Sequence, residues 1–236
     1  MPKILLTFSC IFLLACAFGQ HTELTVSLNS GLFSFAGRST TSSSFINSNP
    51  AHGGYTNDPY GTDPDVSYGL SAGVKRVVRR HWLLGVDGGY EVLRSSVRVD
   101  QIDVVAPAGA VALAVHGHSI LTSRFITVEP YVGYRLAPGK VTVDLSGGID
   151  LAGCLGTRES GTATADNGST YRTSVNRKTI SFDLRPRVQV TGGYRRIFIY
   201  VGYSLGLNNY MEGYVGGPAF GAYARLVRFG VGYRFS

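Results

Sequence analysis

The last ten residues of the chain alternate between large apolar side chains and small or charged ones. Valine, phenylalanine or tyrosine occupies every odd position from 227 to 235, and arginine or glycine occupies the even positions before Ser236. This period of two is typical of a β-strand with two different faces. The same pattern recurs about eight times, and no helical pattern supplies elements that could cover the apolar face. In a chain that carries an export signal, such an uncovered face indicates contact with lipid.

The first nineteen residues are typical of a secretory signal peptide. Lys3 provides a minimal basic start, and the segment Ile4–Leu14 is apolar. Ala17 and Gly19 place small residues before a cleavage point. The apolar run is shorter than the roughly 20 residues of a transmembrane helix, so these residues predict export of the chain to the cell envelope.

Cleavage after Gly19 would leave Gln20 first, and residues 20–236 would then form one outer-membrane β-barrel domain. The segment Leu13–Cys16 also resembles a bacterial lipobox, so acylation of Cys16 is the alternative. Cys154 would be the only cysteine of the mature chain after ordinary cleavage, which excludes a disulfide within one chain.

Eight segments show the period of two, and each exceeds the roughly 9–11 residues that a tilted strand needs to cross a bilayer. They are Glu23–Phe35, Val66–Val77, Trp82–Ser95, Ile120–Leu136, Val141–Leu155, Thr179–Tyr194, Ile197–Asn208 and Ala222–Phe235. The chain is therefore predicted to be all-β, an eight-stranded antiparallel up-and-down transmembrane β-barrel.

The connections between these segments alternate between short and long. Tight turns at 78–81, 137–140 and 195–196 join segments two to three, four to five and six to seven. The other connections, at about 36–65, 96–119, 156–178 and 209–221, are mostly rich in Ser, Thr, Gly, Asn and Asp. This layout is typical of an outer-membrane barrel whose short turns are periplasmic and whose long loops are at the cell surface.

The second face of each predicted strand is polar or small, and it carries six acidic and six basic residues. The acids are Asp87, Glu91, Glu129, Asp144, Asp150 and Asp183, and the bases are Lys75, Arg135, Arg185, Arg187, Arg228 and Arg234. The lumen of an eight-stranded barrel is just wide enough for side chains. We therefore expect these charges to pair in a closed lumen, with inward glycines leaving room for the arginines.

Large aromatic residues fall near the two ends of the predicted strands, as expected of two membrane-interface girdles. Those near the short turns are Trp82, Tyr134, Tyr194, Tyr233 and Phe235, and those near the long loops are Tyr68, Tyr90, Phe182 and Tyr223. The alternative is a soluble barrel with a ligand cavity, but its small interior would then have to hold all of these rings.

The formal net charge of +7 raises the possibility of nucleic-acid binding. Export of the chain argues against it, because it would separate the protein from cytoplasmic nucleic acid. The basic residues are also scattered through strands and tight turns instead of lying on one helix or beside an aromatic stacking surface. We predict no nucleic-acid partner.

Two stretches of the sequence resemble small outer-membrane β-barrel proteins of Bacteroidota, the group that includes PorT-type proteins. They are Tyr203–Asn209, which reads YSLGLNN, and the terminal Gly230–Phe235, which reads GVGYRF. The resemblance implies an outer-membrane barrel, and PorT-type proteins are associated with a secretion apparatus. Barrels of this kind often end on the aromatic residue, whereas Ser236 follows Phe235 here.

The best catalytic candidates are His116, His118, Ser119 and Glu129. A nucleophile and its base must lie within hydrogen-bonding distance, yet His118 and Ser119 point to opposite faces of a strand. The two histidines share a face without an evident third metal ligand. We therefore predict no catalytic residue, no metal site and no cofactor.

These observations predict a non-enzymatic integral protein of the cell outer membrane, with a closed charged lumen and surface loops for interaction or envelope support. The alternatives are an accessory of a secretion system and, less favoured, an outer-membrane enzyme that modifies lipid. The expected partners are outer-membrane lipid, the outer-membrane assembly machinery and a periplasmic or surface protein.

Overall fold

The computed structural model describes residues 21–49, 53–106, 109–137, 139–212 and 220–235. The predicted signal peptide, with its cleavage point and Cys16, lies outside these ranges. Within them the chain is all-β and has eleven strands. The strands are β1 (His21–Ala36), β2 (Ser43–Asn49), β3 (Gly53–Thr56), β4 (Asp63–Val78), β5 (Trp82–Ala106), β6 (Gly109–Ala137), β7 (Val141–Ala165), β8 (Thr170–Arg177), β9 (Phe182–Tyr194), β10 (Ile197–Leu205) and β11 (Tyr223–Arg234).

Eight of the strands pair in an antiparallel series that returns to its starting point. The order is β1–β4–β5–β6–β7–β9–β10–β11, and β11 pairs with β1 again. These eight strands, which we call the ring strands, overlap the eight predicted segments. The predicted count of eight was nevertheless wrong for the chain as a whole, because β2, β3 and β8 form within the connections.

The two short connections that are described in full, at 79–81 and 195–196, are tight turns, as predicted, whereas Pro138 of the third lies outside the described residues. Arg79 and Arg80 join β4 to β5 with φ angles of 50° and 70°, and Arg195 in the turn between β9 and β10 has φ 54°. Positive φ at turn positions matches the right-handed twist of hairpin strands. Both ends of the described chain lie beside these turns, since His21 pairs with Val77 and the backbone N–H of Arg234 donates to the carbonyl oxygen of Arg196 at 2.7 Å.

The predicted loops 96–119 and 156–178 are largely strand. β5, β6 and β7 have 25, 29 and 25 residues, whereas the other ring strands have 9 to 16. Beyond the ring, β7 pairs with β8, β8 with β3, β3 with β2, and β2 with β5. We call this second closed set of pairings, made by β2, β3, β8 and the far halves of β5–β7, the extension.

The extension has an apolar core of its own. Ile46 and Ile102 are buried at its centre, and they lie among Val99, Val115 and Ala163. Beside this core, Glu159 is fully buried and accepts hydrogen bonds from the backbone N–H of Thr56 at 2.7 Å and from Nε of Arg177 at 2.6 Å. These contacts attach the end of β3 to β7 and β8.

The inward glycines of the ring accommodate aromatic rings more than arginines. A methyl group on Gly230 would overlap the ring of Tyr200, and one on Gly232 would overlap the ring of Phe198. The predicted relation to arginine holds at Gly202, where an added Cβ would lie 3.4 Å from Nε of Arg187. Within the described ranges, no helix is long and apolar enough to cross a membrane.

Candidate functional site

The outward surface of the ring strands is a continuous apolar surface, which we call the belt. Its exposed members include Leu24, Val26, Leu28, Leu32, Val66, Tyr68, Leu70, Val74, Trp82, Leu84, Val86, Ile126, Val128, Val132, Tyr134, Leu136, Val141, Leu145, Ile149, Leu151, Phe182, Val188, Val190, Tyr194, Ile197, Ile199, Val201, Tyr203, Leu205, Tyr223, Val227, Phe229, Val231 and Tyr233. Leu28 is 67% exposed and Ile199 is 64% exposed. Apolar patches on soluble monomers rarely exceed a few hundred Å², so a surface that encircles the molecule needs an apolar surrounding.

The predicted interface aromatics lie on the outward surface, with eight of the nine exposed and Tyr90 half-buried. At the short-turn end, the ring of Trp82 meets that of Tyr134 edge-on at 5.4 Å, and Tyr233 meets Phe235 at 5.1 Å. These residues therefore occur as contacting clusters beside the turns, where an interface girdle requires them.

Near the short turns, the lumen holds an ion-pair cluster of five residues. Nζ of Lys75 lies 2.8 Å from Asp144 and 3.1 Å from Glu23. Arg135 donates to Glu23 at 3.0 Å and to Asp144 at 2.7 and 2.9 Å, and Nε of Arg234 lies 3.1 Å from Glu23. All five side chains are buried, and each charge faces an opposite one.

Glu23 is the functional residue that the sequence reasoning missed. It is 2% exposed and contacts three basic residues of the lumen. Its inward position follows from the sequence, because Leu24 is predicted on the outward face and strand alternation turns its neighbour Glu23 inward.

In the middle of the lumen, a second cluster joins three acids to three arginines. Glu91 accepts from Arg185 and, at 2.6 Å, from Arg228. Arg187 donates to Glu129, and Asp150 lies within 3.4 Å of both Arg187 and Arg228. Arg185 is 0% exposed and the three acids and Arg228 are buried, whereas Arg187 is partly exposed.

The remaining predicted lumen charges, Asp87 and Asp183, also lie inside the ring. Asp183 is 0% exposed and accepts a hydrogen bond from the hydroxyl of Tyr210 at 2.9 Å. Burial raises the pKa of the Tyr210 phenol well above its usual range, and the adjacent carboxylate raises it further. Tyr210 therefore stays a neutral donor that fixes the segment after β10 to the lumen wall.

An apolar plug closes the lumen above the middle cluster. It consists of Phe33, Phe35, Tyr60, Leu93, Leu121, Phe125, Ala152, Tyr210, Met211, Ala222, Ala224 and Leu226. Two of its rings come from connections: Tyr60 and Tyr210 meet Phe35 edge-on at 5.2 and 4.8 Å. The hydroxyl of Tyr60 also donates to the carbonyl oxygen of Tyr210 at 3.2 Å.

The free space left in the lumen is small. Two cavities of about 20 and 40 Å³ lie among the charged side chains, both lined by Asp87 and Arg187. A buried water needs about 10–15 Å³ of such volume. These cavities can hold a few water molecules each, and neither has room for a ligand of substrate size.

The structure separates the catalytic candidates. Ser119 is buried and accepts a hydrogen bond from the hydroxyl of Thr56 at 2.8 Å, whereas His116 and His118 are exposed on the opposite face of β6. Glu129 lies in the middle cluster, ten residues further along β6 than Ser119. No group of three potential metal ligands occurs among the described residues.

No protein-family model and no curated protein matches the chain. Among solved structures, it is similar to Ail, the attachment invasion locus protein of Yersinia pestis, crystallised in complex with the heparin analogue sucrose octasulfate. The identity is 12%, the match covers 92% of this chain and 100% of that one, and the TM-score is 0.36. Neisserial surface protein A matches at 10% identity over 91% and 99% of the two chains, with a TM-score of 0.38. Likeness at this level carries no conclusion about function.

Proposed function

We propose that the chain is an integral protein of the bacterial outer membrane, a transmembrane β-barrel of eight ring strands with an ordered extension at the cell surface. The observation that carries the proposal is the reversal of polarity across the ring wall. Apolar side chains face outward over the whole circumference, and ion pairs are buried inside. Because buried charge is costly and exposed apolar surface is unfavourable in water, this arrangement suits a wall that separates lipid from a polar lumen.

The height of the belt supports a spanning position. Phe182 and Tyr194 mark the two ends of β9 and are twelve residues apart. At about 3.3 Å per residue and a tilt of about 40°, twelve residues rise about 30 Å, the thickness of the hydrocarbon core of a bilayer. Closure of the ring also leaves no unpaired strand edge in lipid, where an unsatisfied backbone group costs several kcal/mol.

The orientation follows from the layout of the connections. Tight turns and both ends of the described chain lie on one side, which is the periplasmic side in bacterial barrels, and the extension lies on the other. Tyr200, Arg187 and the plug fill the lumen, so we propose a closed barrel with a structural and interaction role and no catalytic one. The assembly machinery would insert it, and surrounding lipid would be its first partner.

Membrane fractionation tests this proposal. Unboiled protein should migrate differently from boiled protein on SDS gels, and carbonate washing should leave it in the outer-membrane fraction. An epitope tag in the exposed turn at Asn167 should be detected on intact cells, whereas a tag at Gly139 should require permeabilised cells. Release of the chain into the soluble periplasm would contradict the proposal.

Channel recording tests the closed lumen separately. The purified protein in planar bilayers should show no large, stable conductance, because charged and aromatic side chains occupy the cross-section of the lumen at every level described. Steady channels of porin size would show that the inward assignment is wrong while leaving the membrane location intact.

A further inference from the structure

The outward surface changes character abruptly where the long strands leave the belt. Tyr90, Ile126, Gly153 and Phe182 are neighbours in adjacent strands and form the last row of the belt there. In the next row, Arg124 takes the outward position between Val92 and Gly156. In the rows of β5–β8 beyond it, most outward positions are basic or hydroxyl-bearing; Ile120 is an apolar exception and Asp100 an acidic one.

The basic positions lie in register across the strands. Arg94 pairs with Thr122, and Thr122 pairs with Arg158, so the two arginines share one row. Two rows further, Arg98 lies beside His118, and Thr162 separates His118 from Arg172. The row between them carries Ser96, Ile120, Ser160 and Ser174, which places hydroxyl donors between the two basic rows. We call this surface of β5–β8 the basic face.

Most of these arginines are not committed to an acid. Within the described ranges, Arg98, Arg124 and Arg172 make no ion pair and no side-chain hydrogen bond. Arg158 donates to the hydroxyl of Ser174 at 2.6 Å, and Arg94 lies 3.3 Å from Asp65 in a half-exposed pair. The lumen differs completely, since its arginines are held by carboxylates. The guanidinium groups of the basic face are therefore available to an anion from outside the chain.

The position of the basic face relative to the belt indicates which anion it can reach. Arg124 lies two residues beyond Ile126, about 7 Å along the strand, and the headgroup region adds roughly 5–8 Å on each side of the hydrocarbon core. Guanidinium groups bind phosphate through paired N–H donors. Resting on the membrane location proposed above, we infer that the basic face binds phosphate groups on the headgroups of outer-leaflet glycolipids, with the neighbouring hydroxyls meeting the sugar.

Titration with purified lipid tests this inference. The protein in detergent micelles is titrated with diphosphoryl lipid A, and bound lipid is counted by native mass spectrometry. The variant carries Arg94→Gln, Arg124→Gln and Arg158→Gln, and the matched control carries Arg80→Gln, Lys140→Gln and Arg195→Gln in the short turns. Each basic residue near a charged lipid surface contributes about fivefold in affinity, so the variant should bind about 100-fold more weakly. The control should stay near the affinity of the wild-type protein.

Equal weakening in variant and control would overturn the inference, because the effect would then be one of net charge alone. Dephosphorylated lipid A that binds as tightly as the phosphorylated form would also overturn it. A titration with inositol hexakisphosphate tests whether the ligand is a soluble polyphosphate. If it binds as tightly as lipid A, the ligand is a soluble polyphosphate and the lipid is excluded.

Two further measurements distinguish a failure of this inference from a failure of the proposed membrane location. The variant must retain the gel shift between unboiled and boiled samples, since a loss of that shift in the wild-type protein would refute the barrel itself. Raising the salt concentration should weaken lipid binding by the wild-type protein far more than by the variant, because screening acts on the removed charges. A salt response that is the same in both proteins would overturn the inference on its own.

Discussion

The ring and the extension share β5, β6 and β7 but have opposite polarity. In the ring part of β5, Glu91 points inward while Leu84 and Val86 point outward; in the extension part, Val97 and Val99 point inward while Arg98 points outward. The reversal occurs without a break in strand pairing. The residues on alternate positions set which face of each strand is apolar, and under the proposed membrane location the reversal matches lipid around the ring and water around the extension.

The ion pairs of the lumen and those of the outer surface also differ in how far they are buried. The lumen isolates ion pairs from solvent, as at Glu91 with Arg185 and Arg228, whereas the ion pair of Asp65 and Arg94 at the outer surface is 23% and 34% exposed. Loss of one partner in the lumen leaves an opposite charge buried without compensation. Loss of one partner at the outer surface leaves a charge that water can solvate. Substitutions of matched chemistry in the two regions should therefore have very different effects.

The largest effect is expected for Glu91→Gln in the lumen. The change leaves Arg185 and Arg228 without their closest carboxylate, and breaking a buried pair typically costs about 3–5 kcal/mol. The control Asp65→Asn should cost about 0–1 kcal/mol, as exposed pairs do. The free energy of unfolding in urea, measured on protein in lipid vesicles, compares the two. Similar costs for both variants would mean that the lumen is open to water.

The second-largest effect on stability is expected when a charge is added to the belt. Val201→Arg places a guanidinium in the middle of β10, on the belt, and should destabilise the folded protein by about 2–4 kcal/mol in vesicles. Thr164→Arg makes the same addition on the outward face of the extension, where water solvates it, and should be nearly neutral. The same unfolding measurement applies, and a neutral Val201→Arg would remove the case for a lipid-facing belt.

The smallest effect on stability is expected when an isoleucine is shortened, and it should differ between the extension core and the belt. Ile102 is fully buried in the extension core, so Ile102→Val should cost about 0.5–1.5 kcal/mol through loss of packing. Ile149 is 43% exposed on the belt, and Ile149→Val exchanges one lipid-facing side chain for another at almost no cost. Protease sensitivity of the extension on intact cells should rise only in the first variant. A rise in both would show that the belt residue has a packing role.

The sequence predicted the ring far better than the extension. Wherever apolar residues alternate with charges or glycine, as in Val227–Phe235, both the strand and its inward face follow from the pattern. The pattern therefore predicts inward positions for Arg185, Arg228 and Asp150, and all three side chains are buried. Which acid meets which base depends on strand register across the whole ring.

The extension is predicted as loops although Val97–Val99 in β5 does alternate in hydropathy; in β7 the alternation is of another kind. Along the far half of β7, Thr157, Glu159 and Gly161 face inward while Arg158 and Ser160 face outward, so both faces are small or polar. Pairing with β8 and the hydrogen bonds of Glu159 fix this strand, and both depend on residues far apart in the chain. Periodicity along the sequence does not reveal such contacts, so the prediction of eight strands misses three of the eleven that the described residues form.

Depth-dependent quenching of a single tryptophan tests the reversal of polarity most directly. Trp82 is the only tryptophan of the chain, so Trp82→Phe provides an empty background in which Val201→Trp reports on the belt and Thr162→Trp on the extension. In vesicles whose lipids carry bromine on the acyl chains, we expect strong quenching of the belt tryptophan and none of the extension tryptophan. Equal quenching at both positions, or no quenching at position 201, would contradict a lipid-facing ring joined to a water-facing extension.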